Sequence, residues 1–166
     1  MKTWATRPTE LANLFNPAYC GWVLREAIEG YASVKPDGMP LPMAYLVLPV
    51  VLHRATRDLL PRGVVTTLHG WLQEHPELRI NFADRTKELA PFTREAVLFL
   101  GVRGQLLFGD DGAITVAGKL GRGKAALLDK SAEIKDSLTK AKFVGRWFAS
   151  AGEPATVFQM WGVCLG

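Results

Sequence analysis

The stretch from residue 64 to residue 117 constrains the fold most, because its punctuation sets an order of elements. Thr66 or Thr67 can cap a helix that runs through Trp71 to Glu74 and stops at His75-Pro76. A second helix is predicted from Glu77 to Leu89, and Pro91 opens a third over about Phe92 to Arg103. Two apolar runs, Gln105 to Phe108 and Ala113 to Val116, flank Gly109-Asp110-Asp111-Gly112, whose residues tolerate the positive φ of a hairpin turn. Three helices followed by a hairpin is the winged-helix order.

The flanks read as helical. Asn16-Pro17 is a helix start, since Asn caps free amide groups and Pro at the first helical position loses no hydrogen bond. That helix is predicted to reach about Ser33, with Tyr19, Trp22, Val23, Ala27 and Tyr31 on one face, Leu24 and Ile28 widening it, and Arg25, Glu26 and Glu29 in water. Lys35 to Pro42, with three prolines and a glycine, is an extended connector. Residues 42–60 fit either a buried strand followed by a helix or one helix kinked at Pro49. The kinked helix is favoured, with Pro61-Arg62-Gly63 as its stop.

After a Gly- and Lys-rich loop at 118–123, Ile134, Leu138, Ala141, Val144, Trp147 and Phe148 mark a helix from about Lys130 to Ala151. The nearly uncharged Ala155 to Leu165 is a packed helix or strand, or else a contact surface. The chain therefore reads as a single domain over 1–166, mainly α with a small β-hairpin. A winged-helix-like core at 64–117 is flanked by N- and C-terminal helices at 17–60 and 130–165.

At 166 residues and 48% hydrophobic, the chain can bury one core without staples. Cys20 and Cys164 form no framework of spacings, the first 16 residues lack a signal-type apolar stretch, and the Met43 to Leu52 run is about half a membrane span. A reduced, cytoplasmic protein is expected. The net charge of +4 is uneven: Gly118 to Arg146 holds eight basic residues against three acidic ones. Such a segment is either a solvated helix face or a footprint for a polyanion, and Lys119, Arg122, Lys124 and Lys130 are the expected phosphate contacts.

The residues offer little chemistry. Gly118 to Lys124 satisfies G-x-x-x-x-G-K, but position 125 is Ala where a nucleotide loop needs a hydroxyl for magnesium, and no strand ending in Asp follows. His53, His69 and His75 form no metal-spaced pair with each other or with the cysteines, and no G-x-S-x-G occurs. No catalytic, cofactor or metal site is expected, so the chain is not expected to be an enzyme. As a DNA reader, the third helix is apolar in its middle and the turn at Asp110-Asp111 is acidic, which suits protein packing better than phosphate. Of five tryptophans, Trp22, Trp71 and Trp147 are expected in the core, while Trp4 and Trp161 are expected at an interface.

Several stretches together resemble one family. They are Leu14 to Tyr19, Leu46 to His53, Trp71 to Leu78, Thr93 to Ala96, Gly145 to Ala149 and Phe158 to Val163. The family is the middle component of bacterial three-component ABC-type conflict systems. The resemblance implies a non-enzymatic subunit that links an ABC or SMC-like ATPase to an effector in defence against phage or plasmids. Asn16, Pro17 and Phe158 then join Trp4 and Trp161 as expected partner contacts, in a hetero-oligomer that meets DNA through the complex and needs no cofactor. The rival reading is a stand-alone winged-helix DNA-binding regulator.

Overall fold

The computed structural model describes residues 15–118, 123–129 and 131–164. In chain order these form α1 (Pro17–Val34), β1 (Met39–Pro40), α2 (Leu41–Val51), α3 (Arg54–Asp58), α4 (Leu68–Glu74), α5 (Phe82–Val102), β2 (Leu106–Phe108), β3 (Ala113–Val116), α6 (Gly123–Leu128), α7 (Ala132–Ala151) and α8 (Pro154–Trp161), with a 3₁₀ turn at Pro76–Arg79. The fold is mainly helical with one small antiparallel sheet.

Asn16 starts α1 as expected: its Oδ1 accepts a hydrogen bond from the Ala18 N–H at 2.8 Å, and Pro17 fills the first turn. This helix is the centre of the molecule, packed by α7, α5, α2 and the sheet. That placement overturns the expectation that Arg25 and Glu26 face water, since both are buried. Against α7 the approach is too close for side chains. A Cβ on Gly145 would collide with the Ala27 carbonyl oxygen, and one on Gly30 with the Lys142 carbonyl oxygen, so the two glycines form a reciprocal notch.

The helix α2 is apolar on every side and almost wholly buried, the pattern of a core helix. Pro49 lies inside it, and the break falls later. His53 caps α3, with Nδ1 2.7 Å from Thr56 Oγ1 and accepting from the Thr56 N–H. Thr67 caps α4, its Oγ1 accepting from the Gly70 N–H at 3.1 Å.

The next element departs from expectation. The second and third helices of the sequence reading are one helix, α5, which runs 21 residues through Pro91. Pro91 has no N–H to donate to the Lys87 carbonyl, yet the helix continues through it to Val102. The winged-helix order of three helices and a hairpin is thus not confirmed.

The hairpin itself matches the expected residues, with Leu107 opposite Thr115 and Phe108 opposite Ile114. Its third strand, β1, comes from the segment read as a connector and gives the order β1-β3-β2. Met39 pairs with Ile114 and Pro40 with Ala113, and an edge strand tolerates that proline. Gly38, at φ +102°, lets the chain pass against the Ile114 carbonyl, where a side chain would collide.

At the C-terminal end, Ser131 caps α7 by accepting from the Ile134 N–H, and α8 settles on the core as a packed helix. Trp71, Trp147, Trp161 and Phe82 form one aromatic cluster, with the Trp161 and Phe82 rings stacked at 4.1 Å. Trp71 and Trp147 are core residues as expected; Trp22 is only half-buried.

Candidate functional site

A polar cluster joins α1 to the hairpin and to α6. Buried Arg25 donates from Nε to Gln105 Oε1 at 3.1 Å and from Nη2 to the Gly118 carbonyl at 3.1 Å, so the guanidinium pins the end of β3 to the central helix. One residue on, the buried Glu26 carboxylate pairs with Lys124 Nζ. An open cleft of about 660 Å³ lies beside Arg25, between Glu29, Pro36 and Thr115.

This geometry bears on the glycine-rich motif. A strand, β3, precedes the motif and a helix, α6, begins within it, but β3 is the middle strand of an antiparallel sheet. Its lysine is held by Glu26, which neutralises the charge that a phosphate would need. Lys124, expected at phosphate, is therefore an internal ion-pair partner. Lys119, Arg122 and Lys130 lie outside the described residues.

The rest of the basic segment forms a face on α7. Lys135, Lys142 and Arg146 are exposed along it, and Lys142 stands 4.0 Å from Glu29. Two acids of the segment are already occupied: Glu133 and Asp136 both pair with buried Arg57, at 2.9 and 3.2 Å. Arg57 also donates to the Val51 carbonyl at 2.9 Å, so it ties the end of α2 to the first turn of α7.

The three histidines do not meet. His53 is the cap of α3, His75 lies against Trp71 with Nδ1 3.4 Å from Glu77, and His69 is on the surface of α4. Burial, and next the Arg85 charge, hold the His53 imidazole below its ordinary range. Among the described residues no group of His, Cys, Asp and Glu gathers as a metal site. Nor, among them, is any helix long and apolar enough to cross a membrane.

The residues expected at a partner interface are placed as follows. Trp4 lies outside the described residues. Asn16 and Pro17 are half-buried and spend their chemistry on starting α1. Phe158 and Trp161 are buried, and Trp161 has no exposed surface at all, so its ring fills the core instead of facing a partner. The reason is that α8 folds its apolar side inward onto Trp71 and Phe82.

Exposed apolar side chains occur at places the sequence reading passed over. The loop 61–67 carries Val64 and Val65, the latter 95% exposed. Two indoles hold this loop: Trp71 Nε1 donates to the Leu59 carbonyl at 3.0 Å and Trp147 Nε1 to the Thr66 carbonyl at 2.7 Å. The only signal in the sequence was a pair of valines between a Pro-Arg-Gly stop and a helix cap. A second set, Leu98, Val102, Leu107 and Phe108, lies at the end of α5 and on β2.

Among curated proteins and among solved structures, none matches the chain. One family model does match, over residues 4–165, and its description is ABC-three component (ABC-3C) system Middle Component 3. The match spans nearly the whole chain, including all of the described elements, and it agrees with the resemblance carried by the stretches between Leu14 and Val163. The chain belongs to the Middle Component 3 family of ABC-three component systems, which implies partner components.

Proposed function

We propose that the chain is a non-enzymatic bridging subunit, joining an ABC- or SMC-like ATPase component to an effector component in bacterial defence against phage or plasmids. The observation that carries this reading is the family match over residues 4–165, because a middle component works with other components of its system. The energy-using and damaging chemistries then fall to the partners, and DNA is met through the complex. The pinned loop with Val64 and Val65 supports the reading as well, since a rigid apolar tip loses little conformational freedom when a partner covers it.

Co-expression with the neighbouring reading frames, followed by pull-down and mass measurement with and without DNA, tests the proposal. A defined complex with an ABC-type ATPase is expected, weakened about tenfold or more by Val65→Asp with no change in melting temperature. A chain that stays free of those components and binds DNA alone in a sequence-dependent, salt-sensitive way would establish the regulator instead.

A further inference from the structure

Among the described residues the strand β2 lies at an edge of the sheet, because β3 is the middle strand. The ladder decides which groups face that edge. The Gly109 N–H donates to the Ala113 carbonyl and the Ala117 N–H to the Gln105 carbonyl, so residues 105, 107 and 109 turn their backbone groups toward β3. Leu106 and Phe108 turn theirs outward. Folded proteins usually blunt such an edge with Lys, Pro or a bulge. Here the edge strand presents Leu107 and Phe108, 60% and 55% exposed. The Phe108 ring lies against Gly101 of α5, and on the same helix end Leu98 and Val102 are 62% and 85% exposed.

The charges at the two ends of β2 are opposite. Exposed Arg103 precedes the strand, and exposed Asp110 and Asp111 follow it. We infer that β2 pairs antiparallel with β2 of a second copy of the chain, about a two-fold axis at Leu107. In that register Leu106 exchanges two backbone hydrogen bonds with Phe108 of the second copy, and symmetry supplies two more. Leu107 meets its own counterpart. The Arg103 end of each copy meets the Asp110-Asp111 end of the other, so the surface is complementary to itself in charge as well as in backbone. A strand from an unrelated protein would need that charge order by coincidence, whereas a second copy has it by symmetry. The product is one six-stranded sheet in the order β1-β3-β2-β2-β3-β1.

Sedimentation equilibrium of the full chain over a micromolar concentration series is the first test, with a dimer expected. Leu107→Lys places two ammonium groups against each other on the axis and is expected to raise the dimer Kd about tenfold or more. Arg103→Glu and Asp110→Arg should each weaken the dimer, and the double variant should regain it. The register is trapped separately with Leu107→Cys in a Cys164→Ser background. Facing residues of a non-hydrogen-bonded pair stand about 4.5 Å apart at Cα, within disulfide reach. Mild oxidation is expected to cross-link this variant as a dimer and to leave Ile80→Cys in the same background uncross-linked. The inference is overturned if the wild-type chain is monomeric throughout the series. It is equally overturned if a dimer forms that neither cross-links at residue 107 nor responds to Leu107→Lys.

Discussion

Replacing Gly145 with Ala tests whether the central helix pair is set by the glycine notch. The added Cβ would overlap the Ala27 carbonyl oxygen and stand 2.9 Å from the Tyr31 backbone nitrogen. Both are main-chain atoms of α1, so no side chain can rotate away, and the helices must part by about 1 Å. A gap of about 0.5–1 Å already forfeits a quarter to a half of the dispersion attraction across it. The notch lies among buried residues of both helices, Val23, Ala27 and Tyr31 on α1 and Leu138, Ala141 and Val144 on α7, so the loss falls within the core. Overpacking of this kind costs about 3 kcal/mol, the upper end of the usual range, because backbone is what must move. Against this, Ala gains about 1 kcal/mol over Gly in helix propensity. The expected net loss is about 2 kcal/mol, a fall of about 4–8 °C in Tm for a chain of this size. Urea unfolding followed by far-ultraviolet circular dichroism measures it, with the slope m unchanged. Gly30→Ala should cost a similar amount, and the double variant less than the sum, since one separation relieves both clashes. If Gly145→Ala instead raises stability by about 1 kcal/mol, propensity alone governs the site and the notch argument is wrong.

Two further predictions concern charge. Arg57→Met removes a buried cation but leaves Glu133 and Asp136 free in water, so a loss of about 1–2 kcal/mol is expected. The double variant Glu133→Gln, Asp136→Asn strands the buried guanidinium and should cost more, about 3 kcal/mol; urea unfolding that ranks them in the reverse order would overturn this account. His53 titrates below its unfolded value of 6.5 because burial, then Arg85, disfavours its charged form. On acidification the unfolded chain takes up that proton first, so the stabilisation is present above about pH 6.5 and is lost as pH falls toward the lower folded-state value. His53→Asn keeps a capping side chain and removes the titration, so the stability difference from wild type should be constant above about pH 7 and shift against wild type below about pH 6. A difference that does not change with pH would refute the assignment.

What the sequence revealed was what short-range chemistry controls. Asn16-Pro17 started a helix, Gly109 to Gly112 turned a hairpin, and the apolar spacing from Ile134 to Phe148 marked α7. What it hid was decided by distant partners. Met39-Pro40 is a strand only because Ala113 and Ile114 lie beside it, and two residues in a proline-rich connector carry no strand period. Arg25 and Glu26 looked solvated by periodicity, yet Gln105 and Lys124, about 80 and 100 residues further on, let them be buried. Pro91 looked like a boundary because a proline inside a helix forfeits a backbone hydrogen bond, yet α5 continues through it.

The stretches that carry the family resemblance turn out to hold the core together, and that decides where function can be tested. Asn16 and Pro17 cap α1; Leu46, Val47 and Leu48 fill the centre of α2; Trp71, Trp147 and Phe148 belong to the interior. Those stretches set the fold, so the proposed contacts are tested at exposed positions instead: Val65 for a partner component and Leu107 for a second copy of the chain. A complex lost on Trp161→Ala would not locate an interface, because emptying that fully buried site costs about 3–5 kcal/mol of stability on its own. Val65→Asp and Leu107→Lys change side chains that touch mainly solvent in the isolated chain, so an effect of either on assembly reports contact and not folding.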